Sequence, residues 1–339
     1  MAEKPIRPAP VGRRRKRLWL RLALGLVLGI GLSLATFVWW MHPHTRSVAH
    51  DLTLPVRYDE DRFFAEPIAA NGATLSLLTD TGGGLFLRTA ALARVGGAPT
   101  RIFGRTLSRL PAFKPDASIP EPSGGGRWMP IWDEDDTAGL VPNGMLGQRW
   151  FAGGIWTFDY AARSLLLRAT PFQPSPFMSQ HSVPLGFPSS WGVRKGHHPR
   201  FAVSVAGQRI EALLDTGATA WLSPTALETI NDGGRSERAT SFVAAALYDR
   251  WHAAHPDWRI IPAGCVKTHA DMIEVPEVEV AGLKAGPVWF TRRSDPTYVW
   301  MSSFMDQPIA ASVGGNFFRH FRVTVNYPSA VAYFELPTP

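Results

Sequence analysis

Two Asp-Thr-Gly triplets, Asp80-Thr81-Gly82 and Asp215-Thr216-Gly217, carry the side chains of this sequence best suited to chemistry. Each follows an apolar stretch (Leu75, Leu77 and Leu78; Ile210, Leu213 and Leu214), and each has a glycine eight residues upstream, Gly72 or Gly207. Two carboxylates about 3 Å apart cannot both ionise readily, so they share a proton and titrate as a unit. Such a pair supplies both halves of an acid–base hydrolysis. One member takes a proton from water, and the other protonates a carbonyl oxygen or a leaving nitrogen. The residue beside each carboxylate must then carry no side chain, which glycine at the third position provides. A single triplet reads as a turn, because Asp and Gly favour turns. A matched pair 135 positions apart reads as duplication.

The elements that must position these carboxylates repeat as well. Asn71-Gly72 is a hairpin turn signal, and 74–79 then reads as a strand entering the first triplet. Ala206-Gly207 plays the same part for a strand over 209–214, paired with one over 201–205. Later in each half a glycine, Gly147 or Gly314, is followed three residues on by an aromatic pair, Trp150-Phe151 or Phe317-Phe318. Two apolar runs close each half as a hairpin, 155–160 with 164–167 and 321–327 with 330–336. The spacing of Phe242, Val243, Ala246, Leu247, Arg250, Trp251 and Ala254 predicts a helix inserted in the second half, stopped by Pro256. Residues 127–132 read as a strand or flap. The prolines Pro171, Pro174, Pro176 and Pro184 mark a boundary between the halves.

At 339 residues and 45% hydrophobic content the chain can bury one large core or two smaller ones. Its formal charge of +7 is local: Lys4, Arg7, Arg13, Arg14, Arg15, Lys16, Arg17 and Arg21 face only Glu3 in the first 21 residues, and the remainder is neutral. No nucleic-acid partner is needed to explain the basicity. From Leu22 to Met41 no charge occurs, and some twenty residues at ~1.5 Å each match the ~30 Å of a bilayer core. With basic residues before it and Trp39-Trp40 at its end, this stretch predicts an anchor with its N-terminus inside. A cleaved signal peptide is the alternative, and both readings put the bulk of the chain outside the cytoplasm. Cys265 is alone, so no intrachain disulfide forms; it reads as a small buried residue.

Strand, Asp-Thr-Gly, then apolar-apolar-Gly before an aromatic pair resembles the retropepsin and pepsin group of aspartic peptidases, and most closely two-lobed retropepsin-like proteins of bacteria. The likeness runs from about residue 60 to 336. It implies a mainly β fold of two related retropepsin-like β-barrel lobes with a cleft between them. Asp80 and Asp215 match the catalytic carboxylates, with Thr81, Gly82, Thr216 and Gly217 supporting the active loops and Gly147 and Gly314 packing behind them. The organisation that follows is a basic cytoplasmic tail (1–17), a transmembrane anchor (18–41), a linker (42–52), a first lobe (53–168), a Pro-rich interlobe linker (169–184) and a second lobe (185–336). The chain departs from the pattern at Gly83-Gly84, at Thr79 and at Ser312, and neither Trp128 nor Trp132 can be assigned as a flap residue.

The resulting expectation is a single-pass inner-membrane aspartic endopeptidase facing the periplasm, monomeric because both lobes lie in one chain, acting on peptides without cofactor or metal. The same fold serving as an inactive periplasmic peptide-binding or scaffolding module is the alternative. A metal-dependent hydrolase built on Asp133-Glu134-Asp135-Asp136 ranks below both, because an acidic run in a loop is ordinarily solvated. His42, His44 and His50 read as a solvated linker, and His197-His198 as a surface turn, since neither set has zinc-site spacing. The glycine runs 82–84 and 124–126 lack the Lys-Ser/Thr of a phosphate loop, and no Gly-x-Ser-x-Gly or His-Glu-x-x-His occurs.

Overall fold

Burial alternates residue by residue along Arg200–Val205, with Phe201, Val203 and Val205 turned inward, as a strand with one face on a core requires. Its hairpin to Gln208–Leu214 turns through Ala206 and Gly207, both at positive φ (49° and 77°), the geometry that matches strand twist in a two-residue hairpin. The computed structural model describes residues 45–337 apart from 103, 124–127 and 134–142, together with 26–29, 31–33 and 36. The expected tail, 1–17, lies outside the described residues, and so does most of the expected anchor, 18–41. No helix among the described residues is long and apolar enough to cross a membrane.

Each half is built on one large sheet. The first runs in the order Val56–Asp59, Arg62–Ala65, Leu77–Thr79, Gly144–Leu146, Phe86–Arg88, Trp128–Trp132, Arg105–Arg109, Thr100–Ile102. The second has nine strands, with Met272–Val275, Val288–Arg293, Ser241–Ala244, Ala311–Val313, Gln208–Leu214 and Arg200–Val205 adjacent in that order. Neither sheet closes on itself, so the expected β-barrels are open, strongly connected sheets.

The duplication extends to hydrogen-bond register. The strand entering the first triplet pairs in parallel with the strand before Gly147, Leu78 opposite Met145; in the second half Leu213 lies opposite Ser312. Phe86 then faces Met145 as Phe242 faces Ser312. The helix Ala245–Ala254 follows its strand as Thr89–Arg94 follows Phe86–Arg88. It is therefore a lengthened counterpart and not an insertion, and Phe242 and Val243 belong to the strand before it. The true extra piece of the second half is the strand Thr219–Trp221, the helix Pro224–Ile230 and the strand Glu237–Ala239. They lie in the 26 residues between Asp215 and Phe242, where only five separate Asp80 from Phe86.

The two closing hairpins merge into one sheet beneath both lobes. Ile155–Asp159 pairs antiparallel with Arg322–Asn326, centred on Thr157 opposite Thr324, whose hydroxyls lie 2.8 Å apart. A pseudo-dyad passes through that pair. The segment expected as a linker, 169–184, instead contributes a helix, Pro176–Gln180, and an edge strand, Ser182–Pro184, to this sheet. Above it the aromatic pairs Trp150-Phe151 and Phe317-Phe318 are fully buried, and Phe151 stacks 6.3 Å from Tyr327 as Tyr160 lies 6.4 Å from Phe318. Each lobe thus packs an aromatic ring into the other.

A second contact between lobes is ionic. Arg62, 1% exposed, reaches across to Glu237 Oε1 (2.7 Å), the Glu237 carbonyl and the Thr219 hydroxyl, while the Glu60 carbonyl accepts from Ala239 N–H. Removing Glu237 leaves the buried Arg62 with the more distant Asp59, 3.9 Å away, as its ion-pair partner. Glu237→Ala is expected to cost about 3 kcal/mol of unfolding free energy in a urea titration, more than the ordinary loss at an exposed carboxylate.

Candidate active site

Strands Leu77–Thr79 and Gln208–Leu214 end at the same level on either side of the pseudo-dyad and deliver the two triplets face to face. The threonines lock them. Thr81 Oγ1 donates to the Leu214 carbonyl (2.5 Å) and accepts from Thr216 N–H (3.1 Å); Thr216 Oγ1 donates to the Thr79 carbonyl (3.0 Å) and accepts from Thr81 N–H (3.1 Å). Both hydroxyls are buried and fully used, so neither loop can shift without breaking bonds to the other.

The glycines set how closely the carboxyls approach. A methyl group at Gly82 would lie 2.8 Å from Asp215 Cγ, and one at Gly217 would lie 2.3 Å from Asp80 Cγ. Each triplet's glycine therefore makes room for the other triplet's carboxylate. Gly83, a departure from the family pattern, has the same kind of cause: a methyl there would meet Met145 Sδ at 2.3 Å and Asp80 Oδ2 at 2.5 Å. Behind the loops, Gly147 lies against the carbonyls of Gly83 and Gly84, and Gly314 against that of Thr240. Thr79, the other departure in the first half, is buried with its hydroxyl donated to the Phe63 carbonyl at 2.8 Å.

The Asp80 and Asp215 carboxyls are hydrogen-bonded to one another. Burial, the neighbouring Asp215 charge and that bond hold Asp80 well above the usual carboxylate range, against the N–H groups of Gly82 and Gly83. Burial raises Asp215 too, but Asp80's donated bond, Arg293 and the N–H groups of Gly217 and Ala218 oppose it. Both carboxyls are raised by burial, so the pair retains a proton and titrates as a unit. The pair lies on the floor of a cavity of about 400 Å³, walled by Leu213, Arg293, Trp300, Met301 and Phe304.

Sequence reasoning missed most of that wall. The helix Asp295–Ser302 places Trp300 over the cavity, and nothing in its own spacing marks it. His198 also lines the cavity; burial pushes its imidazole down to about 4, and His197 is buried, so the pair is no surface turn. Arg293 could have been found by aligning the halves. Arg88 pairs with Trp132 as Ala244 pairs with Arg293, so Trp132 and Arg293 are equivalent. Trp132 stacks on Phe86 at 4.1 Å, and the Arg293 guanidinium lies 3.5 Å from the Phe242 ring centroid. Trp128 sits farther out, beneath Arg109. Among the described residues no group of three His, Cys, Asp or Glu could hold a metal; Glu134, Asp135 and Asp136 lie outside them, as do His42 and His44. Cys265 is buried.

Because Asp80 binds its proton more tightly folded than unfolded, the native state loses stability as pH rises from the unfolded carboxylate value of ~3.9 through the raised folded one. Asp80→Asn keeps a donor to Asp215 and removes that loss. Scanning calorimetry is expected to show the variant melting a few °C above the parent near pH 7, with the gap closing below about pH 4.

No protein-family model matches the chain, and no curated protein matches it in sequence. Among solved structures, the aspartic proteinase from Irpex lacteus superimposes with a TM-score of 0.50 at 9% identity, covering 85% of this chain and 98% of that one. At that identity the likeness concerns the fold: this chain has the two-lobed architecture of that pepsin-like enzyme.

Proposed function

We propose that the protein is an aspartic endopeptidase, with Asp80 and Asp215 as its catalytic carboxylates. The observation that carries this reading is the hydrogen bond between two buried carboxyls at the floor of a cavity. A purely structural role gives no reason to bury two acids against each other, since each one's burial opposes the other's ionisation.

In this reading Asp215, ionised, takes a proton from a water held between the pair while that water's oxygen attacks the scissile carbonyl carbon. Asp80 gives its proton to the carbonyl oxygen, forming a neutral tetrahedral diol. Collapse breaks the C–N bond: Asp215 passes its proton to the departing nitrogen and Asp80 recovers one from a diol hydroxyl. The pair thus ends as it began. The crossed threonines keep both acids at fixed distance from the water, so little reorganisation accompanies the proton transfers.

The alternative, a peptide-binding module without turnover, drew support from Gly83-Gly84, Thr79 and the lack of an assignable flap tyrosine. Met145 and the Asp80 carboxylate account for Gly83, and the Phe63 carbonyl for Thr79. The proposal also places the protein outside the cytoplasm on an N-terminal membrane anchor; the supporting feature is the uncharged 22–41 stretch behind eight bases. A reporter fused after Pro339 is then active only on the outer side of the membrane, and activity inside the cytoplasm contradicts this placement.

Asp80→Asn and Asp215→Asn are each expected to lower kcat/KM on a cleaved peptide by at least about 10³-fold, and a statine-type inhibitor to block the parent. Retained cleavage in either variant refutes the assignment. The parent's rate falls on both sides of a pH maximum. It declines at high pH as the shared proton leaves the pair, and the raised position of Asp80 moves that limb above the ordinary carboxylate range.

A further inference from the structure

A second cavity, of about 550 Å³, opens on the second-lobe side of the carboxyl pair. Arg293 and Thr297 line both cavities, so the two form one cleft with Arg293 at the join. The inner part is apolar, walled by Leu213, Trp300, Met301 and Phe304. The outer part is cationic, with Lys267, His269, Arg292 and Arg293 facing Asp271.

Two of these cations rest on aromatic rings without a salt bridge among the described residues, Arg293 also acting on the Asp215 charge. Arg292 is engaged by Asp249 at 3.2 Å. Arg293 lies over the Phe242 ring and Lys267 Nζ lies 3.3 Å from the Trp221 ring centroid, and among the described residues neither has an ion-pair partner. Asp271 is committed elsewhere, accepting from Ala263 N–H at 2.8 Å. A guanidinium packed on an aromatic face keeps its N–H fork available in its own plane, the arrangement that takes a carboxylate bidentately.

Resting on the peptidase reading, we propose that Arg293 and Lys267 form a carboxylate-binding subsite that selects peptides acidic on one side of the cleaved bond. Arg293 lines the same cavity of about 400 Å³ as Asp80 and Asp215, so the selected group lies within about three residues of that bond at ~3.3 Å per extended residue. The carboxylate is supplied by an Asp or Glu side chain or by the free C-terminus of the peptide.

The test uses the full-length protein and matched peptides carrying Glu or Gln at each position within three of the cleaved bond, each made with a free and an amidated C-terminus. Cleavage is measured with the parent, and binding of the same peptides with the Asp80→Asn protein by fluorescence anisotropy. The expected result is a preference of about tenfold or more for the carboxylate form on one side only, weakened by salt. Lys267→Glu, which offers Arg293 an internal carboxylate, and Arg293→Met each abolish the preference. A preference following Glu over Gln assigns the group to a side chain; one following acid over amide assigns it to the terminus. Cleavage with equal rates for all forms overturns the subsite and leaves the peptidase reading intact. Absent cleavage with carboxylate-selective binding overturns the peptidase reading and keeps the subsite; absent cleavage with unselective binding overturns both.

Discussion

Two threonine hydroxyls hold this molecule's centre together. Each is buried between the triplet loops, donating to the other half's backbone carbonyl and accepting from its N–H. Their crossing fixes the distance between Asp80 and Asp215 before either carboxyl contributes anything. The glycines then permit the approach that the threonines enforce. Repulsion and desolvation, which would otherwise push two acids apart, are converted into a single retained proton.

The rest of the architecture keeps those loops level. The shared sheet beneath them, centred on Thr157 and Thr324, gives both halves one floor. Tyr160 and Tyr327 each pack toward the opposite lobe, and Arg62 ties the rim of one half to Glu237 of the other. These contacts are spread from floor to rim, so the halves are braced at several heights and not joined at one seam.

Much of this was legible in the residues. Apolar stretches and turn glycines marked the strands entering each triplet, and the glycine-to-aromatic spacing marked the elements behind them. The merging of the closing hairpins was not legible, because alternation along a strand says which face is buried but not which strand lies beside it. The helix start was misplaced because Phe242 and Val243 are apolar in either period, and burial on both faces of a central strand erases the distinction. Proline density suggested a linker over 169–184, yet Pro176 begins a helix, where its missing N–H costs nothing. The cavity wall escaped notice because residues 219–239 displace the second half's numbering and hide the match between Trp132 and Arg293.

That match breaks the two-fold symmetry of the site. A perfectly two-fold site would accept an extended chain in either direction, and its two protonation microstates would be degenerate. With an indole at one position and a guanidinium at its mate, that degeneracy is lifted. One carboxyl lies in the half that carries the indole and the other feels the cation of its own half, so the floor of the cleft acquires a vector. Its two ends carry unlike neighbours, so polarity is built into the floor by divergence at a duplicated position.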